Sequence, residues 1–69
     1  MTNRQREIAA FIEEFWTENW TSPTVRQICQ RFGIASPATV QHHLTQMTRF
    51  GILERKKPSS RRTLYRLKK

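Results

Sequence analysis

Apolar residues recur along the first quarter of the chain at helical spacing. Ile8, Phe11, Ile12 and Phe15 follow the i, i+3, i+4, i+7 rule and form one stripe. The pattern predicts a helix from about Asn3 to Asn19, with Trp16 and Trp20 widening the stripe or closing the corner after it. Thr2 precedes it with Gln5 three residues on, the spacing of a capping box that satisfies two backbone groups at a helix start. Glu7, Glu13, Glu14 and Glu18 lie mostly off the stripe, so the aromatic residues read as core.

Thr21, Ser22 and Pro23 interrupt this pattern. Thr24 and Gln27 repeat the capping-box spacing, and Val25, Ile28, Cys29 and Phe32 carry a second apolar stripe over 25–32. Gly33 falls where a helix end needs a left-handed backbone. Ser36 is a favoured N-cap, and Pro37 at the first helical position loses only a donor that would go unpaired there. A third helix is therefore expected over 37–50, stopped by Gly51, with Val40, Leu44 and Met47 inward and His43 beside them. A short helix, a tight turn with Gly and a capped second helix make helix-turn-helix organisation.

From Ile52 onward the periodicity becomes that of a hairpin. Strands are expected at about 52–56 and 62–67, joined through Lys57-Pro58-Ser59-Ser60. Thr63, Tyr65 and Leu67 should face the helices, with Leu64 and Arg66 outward. The expected fold class is mainly α with a small β-hairpin, a winged helix-turn-helix forming one domain over 1–69.

Charge changes the picture. Thirteen Lys and Arg against five acids give a net charge of +8, and the chain has no Asp. The first eighteen residues set Arg4 and Arg6 against four Glu, a balance of −2; residues 19–69 set eleven basic residues against Glu54, a balance of +10. A field of one sign on part of a small domain attracts a polyanion. The plainer reading, a solvated face, would be served as well by mixed signs. Pro58 and the hairpin charges also discourage edge-to-edge pairing.

Other classes fare poorly. A chain of 69 residues supports a three-helix core but no deep substrate pocket in addition. There are no paired carboxylates suited to a pocket, no Gly-rich phosphate loop and no nucleophile–base pair at useful spacing, so no enzyme is expected. Cys29 is the lone cysteine and falls on an inward stripe. His42 and His43 point about 100° apart on a helix and have no Cys or His at i+4, so neither a metal site nor a cofactor is expected. With neither a membrane-length apolar run nor a signal peptide, the expectation is a cytoplasmic, nucleoid-associated protein with no membrane or small-molecule partner.

The third helix carries the candidate chemistry. Rotation by about 100° per residue gathers Ala38, His42, Thr45 and Arg49 opposite the inward stripe, flanked by Thr39, Gln41 and Gln46. No carboxylate occurs from Pro37 to Phe50, whereas an ordinary solvent face mixes Glu and Lys. Gln41 suits an adenine edge, His42 a guanine acceptor, and Ala38 and the Thr39 methyl suit thymine methyl groups. Ser36 and the helix start suit a phosphate, and Ser36 and Thr45 join the base-facing candidates. Arg26, Gln46, Arg49, Lys56, Lys57, Arg61 and Arg62 are candidates for the DNA backbone or minor groove, with Arg55 and Arg66 as weaker ones.

Arg4-Gln5-Arg6-Glu7-Ile8 through Ile12, Ser22-Pro23-Thr24-Val25-Arg26-Gln27-Ile28 and Ser36-Pro37-Ala38-Thr39-Val40-Gln41-His42-His43-Leu44 resemble the DNA-binding domain of LexA, the family of SOS-response repressors. Gly51-Ile52-Leu53-Glu54-Arg55 and the basic segment after it are similar to the wing of that family. The resemblance implies a winged helix fold and operator reading by the third helix. Its base-contacting positions would correspond to Ser36, Ala38, Thr39, Gln41 and His42, which the helical wheel also selects. LexA proteins carry a C-terminal domain for dimerisation and self-cleavage; these residues stop before it, so self-cleavage is not carried over. Arg61-Arg62-Thr63-Leu64-Tyr65-Arg66-Leu67 is more like the wings of PadR-type and other winged regulators.

The expected function is therefore sequence-specific binding of double-stranded DNA, as a repressor or as an isolated or engineered binding domain. The chain would be a monomer in solution or a weak homodimer on a palindromic site. A winged helix turned to RNA or protein contacts is the other reading.

Overall fold

Three capped helices and one hairpin follow one another in chain order. The computed structural model describes residues 1–59 and 62–68. Helices α1 (Asn3–Asn19), α2 (Val25–Phe32) and α3 (Pro37–Arg49) precede strands β1 (Leu53–Ser59) and β2 (Arg62–Leu67), which pair antiparallel. This is the winged helix-turn-helix arrangement that the sequence predicts.

Local chemistry fixes the helix boundaries. Thr2 and Thr24 each accept from the backbone N–H three residues on, at 3.1 Å, and the Gln at that position accepts from the cap's own N–H. Both capping boxes thus close. Gly33 ends α2 at φ 65°, the left-handed conformation that costs glycine little. Ser36 stands at the start of α3 without a side-chain cap bond, and Pro37 follows it. Helix α3 ends one residue short of the expected position, with Phe50 as its cap.

The core draws on every element. Ile8, Ala9 and Ile12 of α1, Ile28 and Cys29 of α2, and Val40, Leu44 and Met47 of α3 are buried together with Leu53 and Tyr65 of the hairpin. Phe11, Trp16, Val25, Phe32, Ile34, Ile52 and Leu67 pack around them. The α1 stripe is rotated from the one expected: Gln5 and Ala9 lie inside it, whereas Phe15 is only half-buried. Trp20 departs further, at 86% exposed. The helix ends there in the left-handed region, φ 62°, so the period that would carry Trp20 inward stops one residue too early.

Strand β1 runs longer than the sequence suggests. Lys57, Pro58 and Ser59 belong to it rather than to the turn, and the pairing is irregular between Lys56 and Ser59. Ser60, the last residue expected in the turn, lies outside the described residues. Register pairs Leu53 with Leu67 and Arg55 with Tyr65. Tyr65 is buried, Leu67 packs on the core and Arg66 is exposed, as the alternation implies; Thr63 and Leu64 are both half-buried.

Main-chain groups of Tyr65 dock the hairpin on the helices. Its N–H donates to the buried Ser22 hydroxyl at 3.1 Å, and its carbonyl accepts from the Trp16 indole at 2.6 Å. A two-stranded hairpin leaves such groups unpaired along its outer edge, and here α1 and the loop after it cover them.

Three outcomes follow for stability. Leu44→Ala should cost about 2–5 kcal/mol in urea unfolding, a large part of what so small a core provides. Trp16→Phe should cost about 1 kcal/mol through the lost indole bond. Trp20→Gly, by contrast, should stabilise by about 0.5–1 kcal/mol, because relief of left-handed strain exceeds glycine's added chain entropy. Destabilisation by Trp20→Gly would mean that the exposed indole contributes packing.

Candidate nucleic-acid interface

The buried stripe of α3 determines what its other side offers. Val40, Leu44 and Met47 are fully enclosed, which turns Ala38, Thr39, Gln41, His42, Thr45 and Arg49 outward, and all six are exposed. Ser36 is exposed at the head of the same face. None of the polar side chains in this set makes a hydrogen bond among the described residues. Their donors and acceptors are therefore available to a ligand. With no side-chain cap on α3, its first-turn amides and the positive end of its dipole point out of the N-terminal end, beside Ser36.

Arg26 joins this surface from α2. It is exposed in the first helical turn, and an open groove of about 680 Å³ between α2 and α3 is lined by both Arg26 and Gln41. Lys56 and Lys57 are exposed on β1. Arg61 lies outside the described residues, and of Arg62 only its place at the start of β2 is described.

Not every cation is available in the same way. Arg4 and Arg31 each lie 5.3 Å from the Phe32 ring centroid, and Arg66 lies 5.2 Å from that of Trp16. These guanidinium groups sit over aromatic faces, which favours them electrostatically and shields the rings. A charge count alone cannot separate them from Arg26 and Arg49. The acids are segregated: Glu7, Glu13, Glu14 and Glu18 are exposed on α1, while α2 and α3 contain none.

Gln46 and His43 stand differently from the rest. Both are half-buried, and the Gln5 amide nitrogen lies 2.8 Å from Gln46 Oε1 and 3.3 Å from His43 Nδ1. Gln5 itself is 1% exposed. The sequence shows it as a cap residue, and only its place on the buried stripe with Ile8, Ala9 and Ile12 hints at a longer reach.

Among the described residues, no three His, Cys, Asp or Glu residues come together as a metal site would need, and no helix is long and apolar enough to cross a membrane.

The family model for the LexA DNA binding domain matches residues 1–62. A LexA repressor from Carboxydothermus hydrogenoformans is 40% identical over 55 residues, which cover 80% of this chain and 27% of that protein. One from Thermotoga neapolitana is 43% identical over 56 residues, 81% of this chain and 28% of the relative. One from Caldicellulosiruptor saccharolyticus is 38% identical over 64 residues, 93% and 31% respectively. The chain thus spans less than a third of the length of these relatives. Helix order, hairpin and matched residues agree: this chain belongs to the LexA DNA-binding domain family.

Proposed function

We propose that the chain binds double-stranded DNA sequence-specifically, as the operator-reading part of a repressor, with α3 in the major groove and the basic hairpin against the backbone. The observation that carries this reading is the outer face of α3, exposed throughout and free of carboxylates, on a helix whose inner stripe is fully enclosed. A phosphate-lined groove repels acids and accepts hydroxyl, amide, imidazole and guanidinium groups, which are what this face carries.

Roles follow from position along α3. Gln41 and His42, in the first half of the helix, read base edges, with Ala38, Thr39 and Thr45 beside them and Ser36 at its head. Arg49, in the last turn, meets a phosphate. Arg26, Lys56, Lys57, Arg61 and Arg62 supply further backbone or minor-groove contacts. If five to eight groups neutralise phosphates, log K falls against log salt with a slope of about −4 to −7. A single copy occupies a half-site, and two copies occupy a palindrome.

Selection from a random duplex library tests this. The wild-type chain should enrich a defined motif that displaces labelled DNA far better than RNA or random duplex does. Gln41→Ala and His42→Ala should each cost about 1–3 kcal/mol on that motif and relax the preference at one position. Arg49→Ala should weaken all sequences alike and reduce the salt slope by about 0.9. Failure to enrich any motif, or equal competition by RNA, would remove the reading.

A further inference from the structure

The Gln5–His43–Gln46 cluster links the start of α1 to the flank of α3, and its hydrogen bonds have a direction. The Thr2 backbone N–H can only donate, and it lies 3.3 Å from Gln5 Oε1. That contact fixes which way the Gln5 amide is turned, so its nitrogen faces α3. There it lies 2.8 Å from Gln46 Oε1 and 3.3 Å from His43 Nδ1. An amide nitrogen carries two hydrogens and accepts nothing, so both neighbours must offer it acceptors. Gln46 therefore holds its carbonyl inward and its NH2 outward. His43, when neutral, holds an unprotonated Nδ1 inward, which leaves its proton on Nε2 at the far side of the ring.

The outer atoms are accessible. Neither Gln46 Nε2 nor His43 Nε2 has a partner among the described residues, and no buried side-chain nitrogen or oxygen there lacks one. Both atoms must therefore reach solvent. Residues three apart on a helix have Cβ atoms about 5–6 Å apart, a span that one phosphodiester group can bridge with its two free oxygens. The pair sits on one flank of the outer face, set back from Ala38, His42 and Arg49, where a groove wall rather than its floor would pass.

We propose that Gln5 is a positioning residue which sorts this flank, so that His43 and Gln46 present N–H groups and no acceptors to a backbone phosphate. The inference rests on the double-stranded DNA reading and adds His43 to the contact set. A phosphate oxygen only accepts, so an unsorted amide or imidazole would meet it wrongly in part of its orientations. The buried capping residue removes those orientations before DNA arrives.

Two measurements test it. In the free protein at neutral pH, nitrogen-15 spectra of the His43 ring should show the proton on Nε2, and Gln5→Leu should yield mixed tautomers. A proton on Nδ1 in the wild type would overturn the proposal without reference to DNA. In duplex titrations, Gln46→Ala and His43→Phe, which keeps an aromatic ring but removes the outer donor, should each weaken binding about three- to tenfold on selected and random sequences alike. Gln5→Leu should weaken the wild type comparably, yet add nothing when both partners are already replaced. Wild-type affinity in both partner variants, or an undiminished Gln5→Leu effect in the double variant, overturns the sorting role alone. A wild-type chain that binds no duplex overturns the parent reading and this one with it.

Discussion

On the reading proposed above, helix α3 serves as core and as DNA-facing surface at once, and that constraint governs the rest of the molecule. Its inner stripe, Val40, Leu44 and Met47, shares one small core with α1, α2 and the hairpin. In a chain of this size the apolar side chains that hold α3 are few: the enclosed stripe sets which face turns outward, and packing supplies only part of the hold on the helix. Directional contacts supply the remainder. Gln5 ties α1 to the flank of α3, and Ser22 and Trp16 hold β2 through the Tyr65 main chain. A helix held by shape on one side and by hydrogen bonds at its flank keeps its outer residues at fixed angles, which groove reading requires.

Much of this was legible in the sequence, for a physical reason. Capping boxes, the Gly33 stop and the Ser36-Pro37 start are local devices whose partners lie within three or four residues. The helices they bound accordingly agree with the pattern to within one residue. The α3 face follows from those boundaries by rotation alone. What stayed hidden depends on distant partners or on where a period stops. Trp20 continues the apolar spacing of α1 but lies just past the helix, in the left-handed region, and so turns to solvent. Strand β1 extends through Pro58 because pairing with β2, not residue type, decides where a hairpin arm ends. Gln5 pairs with a residue 41 positions away, and no window of sequence displays that.

The cations show the same division. Sequence counts them together, whereas the fold gives them separate roles. Arg4, Arg31 and Arg66 stand over aromatic rings at the rim of the core, whereas Arg26, Arg49, Lys56 and Lys57 have no ring beneath them among the described residues, and all seven are exposed. All of them keep their charge, so the whole positive surplus contributes to the field around the molecule. The α1 carboxylates reinforce its direction by making that helix the less favourable side for approach.

The choice of side chains on α3 fits a surface that must be complementary rather than merely attractive. Ala38, Thr39, Thr45 and His42 are short or ring-bound and have few rotamers, so the ordering against base edges proposed above costs them little entropy. The long, rotamer-rich side chains Lys56 and Lys57 sit on the hairpin, where the proposed attraction to phosphates tolerates many geometries. Gln46 differs from Gln41 and Arg49, which are long and exposed on the outer face: it is a flexible amide beside that face, yet half-buried and held by Gln5. At Gln46 the fold supplies one orientation from its interior, and at Gln41 it leaves the orientation open.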